Sequence, residues 1–136
     1  GAKKGDVFIS PFVGRLDDVG ENGMDLVRNI IQMYKTKDAN DHVEVLTASV
    51  RSLYHFLYAI YLGSDIVTAP LSVLKEWAKS GMPVFDTCPN DLQALEPIKY
   101  QYFNLSKVWS DFNIFHFLTK AGLQRFADDW NKLLEK

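Results

Sequence analysis

The sequence predicts an α/β fold with a parallel sheet, because strand-like and helix-like segments alternate three times along its first 81 residues. Each unit begins with a short apolar or β-branched run and continues with apolar residues at helical spacing. The second and third helical segments end at a glycine. The predicted strands are residues 7–13, 42–50 and 65–70. The predicted helices are residues 25–35, 52–63 and 71–81.

Local chemistry sets the individual boundaries. Ser52 lies where a helix N-cap is expected, and Gly63 lies where that helix ends. Pro70 ends the third strand, because proline has no N–H group for the ladder. Parallel strands that are covered on both faces should be apolar throughout, and these three nearly are. The apolar positions of the first helix are Leu26, Ile30, Ile31 and Met33.

The regular alternation ends after the third unit. Residues 82–113 contain three prolines and many aromatic residues without a sustained period, which predicts an irregular arm that packs on other parts of the molecule. Thr119 is the expected N-cap of a terminal helix. One face of that helix carries Leu123, Phe126, Trp130, Leu133 and Leu134. We expect one domain, with βα units in residues 1–81 and the arm and last helix in residues 82–136.

Composition and charge exclude several classes of partner. The 136 residues are 47% hydrophobic and 24% charged, as in most globular domains. The formal net charge of -2 offers no basic surface for nucleic acid. No apolar run approaches the roughly 18 residues of a membrane span. Cys88 is alone and GAKKGD is no signal peptide, so a cytoplasmic protein is expected.

Arg15 and Arg51 follow the first two predicted strands within a few residues, and Ser49 lies two residues before Arg51. A guanidinium offers a planar fork of donors that matches two phosphate oxygens. On an extended strand, Ser49 and Arg51 project to the same side. These residues therefore suggest an anion site. The alternative is that Arg15 pairs with an aspartate of the following DD pair while Arg51 only caps a loop, and spacing alone favours that alternative.

Other candidates for chemistry fail. His42, His55 and His116 are too far apart for a metal motif and are expected to be core or surface residues. Cys88 has no basic neighbour that would activate its thiol, so no nucleophilic role is expected. No lysine lies inside an apolar strand, where desolvation favours a Schiff-base amine. The sequence therefore predicts neither a metal site nor a catalytic lysine.

Three strand ends, SPFVGR, TASVR and IVTAP, resemble the last three βα units of the transaldolase and fructose-6-phosphate aldolase family. SPFVGR is the most specific, and LTKAGLQRFADDW resembles the closing helix of these proteins. The resemblance covers residues 6–134 and implies a (β/α)8 barrel. Such barrels take about 250 residues, so this chain would hold strands six to eight only. The expected fold class is thus α/β, a partial TIM barrel of three parallel βα units with an irregular arm and a C-terminal helix.

The resemblance also implies roles for individual residues. Arg15, Ser49 and Arg51 would bind the phosphate of a sugar phosphate, and Ser10 and Phe12 would shape the substrate pocket. Aldolases of the family usually carry tyrosine where Phe12 stands, so Phe12 favours transaldolase activity. The family's Schiff-base lysine lies on strand four, and its proton-handling residues lie on strands one, three and five, none of which this chain would contain. No metal or organic cofactor is implied, because the protonated Schiff base is itself the electron sink.

Three interpretations of function remain open. The first is the C-terminal part of a transaldolase-like class I aldolase, inactive alone, that acts on a phosphorylated sugar of the fructose 6-phosphate type. Its partner would be the missing N-terminal barrel half, or the chain would self-associate. The second is a non-catalytic half-barrel that binds sugar phosphates or serves in assembly. The third is a proteolytic or engineered fragment, since GAKKGD matches the family's turn before strand six.

Overall fold

A computed structural model describes residues 3, 5–36, 42–87, 94–104 and 106–134 of the chain. Contacts divide the chain into two compact units, Gly1–Gln101 and Tyr102–Lys136. The sequence predicts no catalytic role for Cys88 or for any lysine. Of these residues, the following lie outside the described ranges: Lys4, Lys37, Cys88 and Lys136.

Strands and most of the helices lie in the first unit. Its strands are β1 (Val7–Ile9), β2 (Val43–Thr47) and β3 (Ile66–Val67). Its helices are α1 (Val13–Asp17), α2 (Gly23–Thr36), α3 (Leu53–Leu62) and α4 (Leu71–Lys79). The second unit contains a 3₁₀ turn (Trp109–Asp111) and helix α5 (Phe117–Leu134). No helix in the described ranges is both long and apolar enough to cross a membrane.

The three described strands form one parallel sheet in the order β1-β2-β3. Val7 pairs with Val43, and Leu46 pairs with Ile66, so each strand lies beside its neighbour in sequence. Helix α2 packs against α3, and α3 packs against α4. Successive crossovers therefore step in one direction across the sheet, as they do in a βα barrel. The predicted α/β fold with three parallel βα units is confirmed.

The core lies on one face of the sheet, beneath the helices. Val43, Val45 and Thr47 of β2 are buried, whereas the alternate residues Glu44 and Leu46 are only half-buried. Because successive side chains of a strand point to opposite faces, the described helices cover one face alone. The other face of the described sheet is only partly covered, as expected for three strands of a larger barrel. The main apolar core residues are Val13, Met24, Val27, Ile30, Phe56, Leu57, Ala59 and Val73.

Helix α3 begins and ends where the sequence predicts. The Ser52 hydroxyl accepts a hydrogen bond of 3.1 Å from the His55 N–H and so caps the first turn. Gly63 has φ 77°, the left-handed conformation that glycine adopts most easily, and its N–H donates to the Ile60 carbonyl at 3.0 Å. Both boundaries are confirmed.

Several sequence-based boundaries are wrong. Strand β2 ends at Thr47 and not at residue 50, and β3 ends at Val67, so Pro70 does not end it but precedes α4. The predicted strand over residues 7–13 ends at Ile9, and the chain enters α1 at Val13. Pro11 explains the early end, because it has no N–H to continue the ladder. Helix α5 begins at Phe117, so Thr119 lies inside its first turn and is not the N-cap.

The part of the predicted irregular arm around Glu96 and Ile98 belongs to the first unit and packs beside α2. The Asn22 N–H donates to the Glu96 carbonyl at 2.9 Å, and the Asn29 side-chain amide donates to the Ile98 carbonyl at 2.7 Å. Residues 94–101 therefore run along the N-terminal half of α2. Backbone groups of an extended segment need partners when they approach a core, and the α2 side supplies them here.

We expect the isolated 136-residue chain to self-associate. Val7 and Phe8 of β1 are 40% and 51% exposed, and β1 and β3 are the edges of the described sheet. Unpaired edges and exposed apolar side chains favour further association. Sedimentation velocity at micromolar concentration should show dimers or larger species. A compact, stable monomer would contradict this expectation.

Candidate functional site

The chain segments that follow β1 and β2 lie side by side. The Val13 N–H donates to the Ala48 carbonyl at 3.0 Å, and the Gly14 N–H donates to the Ser49 carbonyl at 3.1 Å. These bonds continue the pairing of the two strands beyond their ends. As a result, α1, which carries Arg15, is held directly against the turn that carries Ser49 and Arg51.

Ser49 has φ 58°, in the left-handed region that residues other than glycine rarely adopt. Strand β2 has already ended at Thr47, so the premise that Ser49 and Arg51 project from one extended strand is wrong. Non-glycine residues in this conformation cost about 1–3 kcal/mol and concentrate at functional sites. The bond from Gly14 to the Ser49 carbonyl helps to hold the turn in place.

Arg51 forms a two-pronged ion pair with Asp18. Nη1 of Arg51 contacts Oδ1 of Asp18, and Nη2 lies 2.7 Å from Oδ2. The sequence alternative placed an arginine in a surface pair with the DD aspartates, and such a pair is present, but its arginine is Arg51. This hydrogen bond, together with the charges of Arg51 and Arg15, lowers the pKa of the Asp18 carboxyl, and the same contact raises the pKa of Arg51.

The sequence placed Arg15 directly after a strand, but in the structure it lies on α1. Its guanidinium carbon stands 4.9 Å from the centre of the Phe12 ring, a cation–π distance. Phe12 itself makes an isolated parallel bridge to Ala48. Arg15 is thus carried on α1, which is hydrogen-bonded to the turn that carries Arg51, and the charges of both arginines lower the pKa of the Asp18 carboxyl.

Four of the five predicted site residues share this region, since Phe12, Arg15, Ser49 and Arg51 all lie on the two joined segments. The fifth, Ser10, is exposed and stands immediately after β1. What the arrangement can do chemically follows from its donors. Two guanidinium groups near one carboxylate can hold a dianion with several oxygens.

Sequence reasoning did not select Gly14, and it did not anticipate that Asp17, considered only as a partner of Arg15, contacts His55. A Cβ on Gly14 would stand 2.4 Å from Nε of Arg51 and 2.6 Å from the Ser49 carbonyl oxygen, so only glycine fits. His55 is a core residue, as one of the two sequence alternatives had it, but it also contacts Asp17 at 2.9 Å. No local pattern marks these residues, because their partners lie far away in the sequence.

No group of three or more His, Cys, Asp or Glu side chains that could hold a metal ion occurs within the described ranges. The described lysines from β1 to the end of α4 lie on helices: Lys35 is in α2, and Lys75 and Lys79 are exposed residues of α4. None of the three lies in a strand of the described sheet.

Replacing Asp18 with asparagine should change the pH dependence of stability. A carboxyl whose folded pKa lies below its ordinary value of 3.8 stabilises the fold above that pH, and the contribution is lost as the pH falls through the folded pKa. The melting temperature of the wild type should therefore exceed that of Asp18→Asn near pH 6, and the difference should vanish at strongly acid pH. Asp129→Asn, which removes a carboxylate from another surface ion pair, is the matched control. A difference that does not depend on pH would show that the ion pair is not its source.

Comparison with known proteins gives a consistent result. The family model described as Transaldolase/Fructose-6-phosphate aldolase matches residues 1–136. A protein of Bdellovibrio bacteriovorus named "Probable transaldolase" is 36% identical over 99% of this chain and 45% of its own length. One of Caldicellulosiruptor saccharolyticus with the same name is 31% identical over 99% of this chain and 45% of its own length. Another, of Mesorhizobium japonicum, is 41% identical over 61% of this chain and 45% of its own length. The chain thus spans less than half the length of these relatives.

Proposed function

Since this chain belongs to the transaldolase/fructose-6-phosphate aldolase family, we propose that it supplies the sugar-phosphate-binding part of a transaldolase-like class I aldolase. The observation that carries the proposal is the two-pronged contact of Arg51 with the Asp18 carboxylate beyond two adjacent parallel strands, on a turn that is hydrogen-bonded to α1, which carries Arg15. The carboxyl ends of parallel strands are where barrel enzymes build their sites.

The phosphate would take the place of the Asp18 carboxylate. Arg51 already presents two guanidinium nitrogens to two oxygens, which is also the geometry that binds phosphate. Arg15 would add a second positive charge, and the Ser49 hydroxyl a further donor. Because the Arg51–Asp18 pair is half-exposed, its exchange for a dianion costs little.

The chemical step would take place beside Phe12 and Ser10. In the proposed reaction a lysine outside these residues forms a Schiff base with the ketone of a phosphorylated ketose, and the carbon–carbon bond breaks to release an aldose phosphate. The enamine that remains then attacks a second aldose phosphate, which transfers the dihydroxyacetone unit, and water hydrolyses the new Schiff base to release the ketose product and the free lysine. Phe12 has no hydroxyl to hold a hydrolytic water, which favours transfer over release. The Schiff base is the electron sink, so the reaction requires no metal or organic cofactor.

Completion of the barrel is part of the proposal. The relatives are about twice as long as this chain, and the sheet edges described above would pair with the strands that those relatives add. The complementary half, with the catalytic lysine, would be supplied by a longer chain or by a separate partner. The site would then be enclosed, and the cytoplasm, where sugar phosphates are found, is the proposed location.

The test uses the protein at the full length that its own gene encodes. With fructose 6-phosphate and an aldose phosphate it should transfer the three-carbon unit, and with fructose it should be far slower. Borohydride should trap the Schiff base on a lysine outside the 136 residues. A stoichiometric adduct on a lysine of this chain would contradict the assignment of the catalytic amine. Binding of fructose 6-phosphate without turnover or adduct would instead favour a non-catalytic sugar-phosphate-binding module.

A further inference from the structure

We propose that His55 is a positioning residue, which holds the main chain at Arg51 and is itself oriented by Asp17. The inference rests on the proposed function, because it concerns the same phosphate site. His55 lies on α3, Asp17 lies on α1, and Arg51 lies on the turn between β2 and α3. The imidazole therefore connects the two segments from which the guanidinium groups project.

Burial makes this connection rigid. His55 is 4% exposed, and the Asp17 side chain is 15% exposed. Nε2 of His55 stands 2.9 Å from Oδ2 of Asp17. Polar groups taken out of water require partners, and a bond between two such groups is costly to break.

The second ring nitrogen contacts the phosphate site itself. The Arg51 backbone N–H donates to Nδ1 of His55 at 3.4 Å, a long hydrogen bond. Nδ1 therefore carries no proton, and Nε2 carries the one that is donated to Asp17. In this tautomer both ring nitrogens have hydrogen-bond partners, one on α1 and the other on the turn after β2.

Further bonds fix both ends of the bridge. The other oxygen of Asp17 accepts a hydrogen bond of 3.0 Å from the Gly23 N–H at the start of α2. The His55 N–H donates to the Ser52 hydroxyl, next to Arg51. Arg15 and Arg51 are thus carried on main-chain segments that His55 and Asp17 lock together. Phosphate then meets two cations already in place, and preorganisation of this kind raises affinity without a new ligand contact.

Two variants of His55 distinguish a positioning role in phosphate binding from a role in the stability of the core alone. Asparagine at position 55 can place its oxygen near Nδ1 and keep the acceptor for the Arg51 N–H, but it does not reach Asp17. Glutamine can place its amide nitrogen near Nε2 and keep the bond to Asp17, but it leaves the Arg51 N–H without that acceptor. Each variant loses one buried hydrogen bond, so both should lower the melting temperature by similar amounts.

The readout is the dissociation constant of inorganic phosphate, measured by calorimetry on the protein at full encoded length. Partners one shell away from a bound metal typically change its affinity by about 10- to 100-fold, and we expect an effect near the lower end here. His55→Gln should weaken phosphate binding about 10-fold, whereas His55→Asn should stay within about 3-fold of the wild type. Arg51→Ala should abolish most of the binding, and Arg125→Ala, in another exposed ion pair, should change nothing.

The outcomes are distinguishable. If wild type and Arg51→Ala bind phosphate equally poorly, the proposed phosphate site fails and this inference fails with it. If Arg51→Ala loses binding while both His55 variants bind like the wild type, only the positioning role is wrong. Equal losses in the two His55 variants would also overturn it. Should either variant fail to fold, ¹⁵N NMR of the wild-type imidazole decides: a proton on Nε2 supports the bridge, and a proton on Nδ1 overturns it, because Nδ1 could not then accept from Arg51.

Discussion

Replacing Arg51 with alanine is expected to weaken the use of phosphorylated substrates about 10- to 150-fold. A hydrogen bond to a charged group contributes about 1.5–3 kcal/mol, and about 1.36 kcal/mol corresponds to a factor of ten in catalytic efficiency. Arg15→Ala should behave in the same way. Lysine at either position should restore only part of the loss, because it keeps the charge but not the planar fork.

Control substrates and variants test whether the loss of activity comes from weaker phosphate binding. Non-phosphorylated analogues such as dihydroxyacetone should be nearly indifferent to both changes, because they have no dianion to lose. Arg15→Ala and Arg51→Ala should be non-additive when combined, since both cations act on one ligand. Arg125→Ala removes an exposed arginine from a comparable ion pair on α5 and should leave kcat/KM unchanged. If Arg15→Ala or Arg51→Ala lowers the melting temperature and leaves phosphate discrimination intact, the arginine is structural.

Gly14→Ala is the second change with a large expected effect. Alanine in a helix usually stabilises relative to glycine, and Gly14 lies in α1. Here the added Cβ would stand 2.6 Å from the Ser49 carbonyl oxygen and 2.7 Å from Cδ of Arg51. A backbone oxygen cannot move without separating the two joined segments. We therefore expect a loss of about 1–3 kcal/mol in the free energy of unfolding, together with weaker phosphate binding.

A double-mutant cycle shows whether Gly14 acts through Arg51. In the Arg51→Ala background the contacts with Nε and Cδ are gone, so Gly14→Ala should cost less stability than in the wild type. Urea unfolding of the four proteins measures the coupling. Strict additivity would show that the Arg51 side chain does not limit the space at Gly14. A stabilising Gly14→Ala would contradict the close approach altogether.

The βα alternation could be read from the sequence because its signals are local. Ser52 and Gly63 mark the ends of α3 through bonds within a few residues, and the period of α2 is set by its own apolar positions. Helix α1 could not be predicted in this way, since it has only five residues. It depends on bonds to the segment after β2 and on the close approach of Gly23, where a Cβ would stand 2.4 Å from the Val13 carbonyl oxygen.

The residues of the candidate site likewise fall into those that the sequence predicts and those that only the fold reveals. Arg15 and Arg51 could be selected by residue type and by their place near strand ends, but their partners could not. Asp17 and Asp18 are adjacent in sequence, yet one contacts His55 in the interior and the other pairs with Arg51 at the surface. Only the fold separates their roles, because α1 turns one side chain inward and the next outward. The left-handed conformation of Ser49 likewise has no signal in the sequence, since serine does not demand it.

The most direct test of the central claim is a crystal structure of the protein, at its full encoded length, with fructose 6-phosphate bound. The account predicts that the phosphate oxygens lie about 2.7–2.9 Å from guanidinium nitrogens of Arg15 and Arg51, the usual length of such charge-assisted bonds. The Asp18 carboxylate should have left the Arg51 fork. A bound sugar phosphate whose phosphate contacts neither arginine, with the Arg51–Asp18 pair intact, would contradict it.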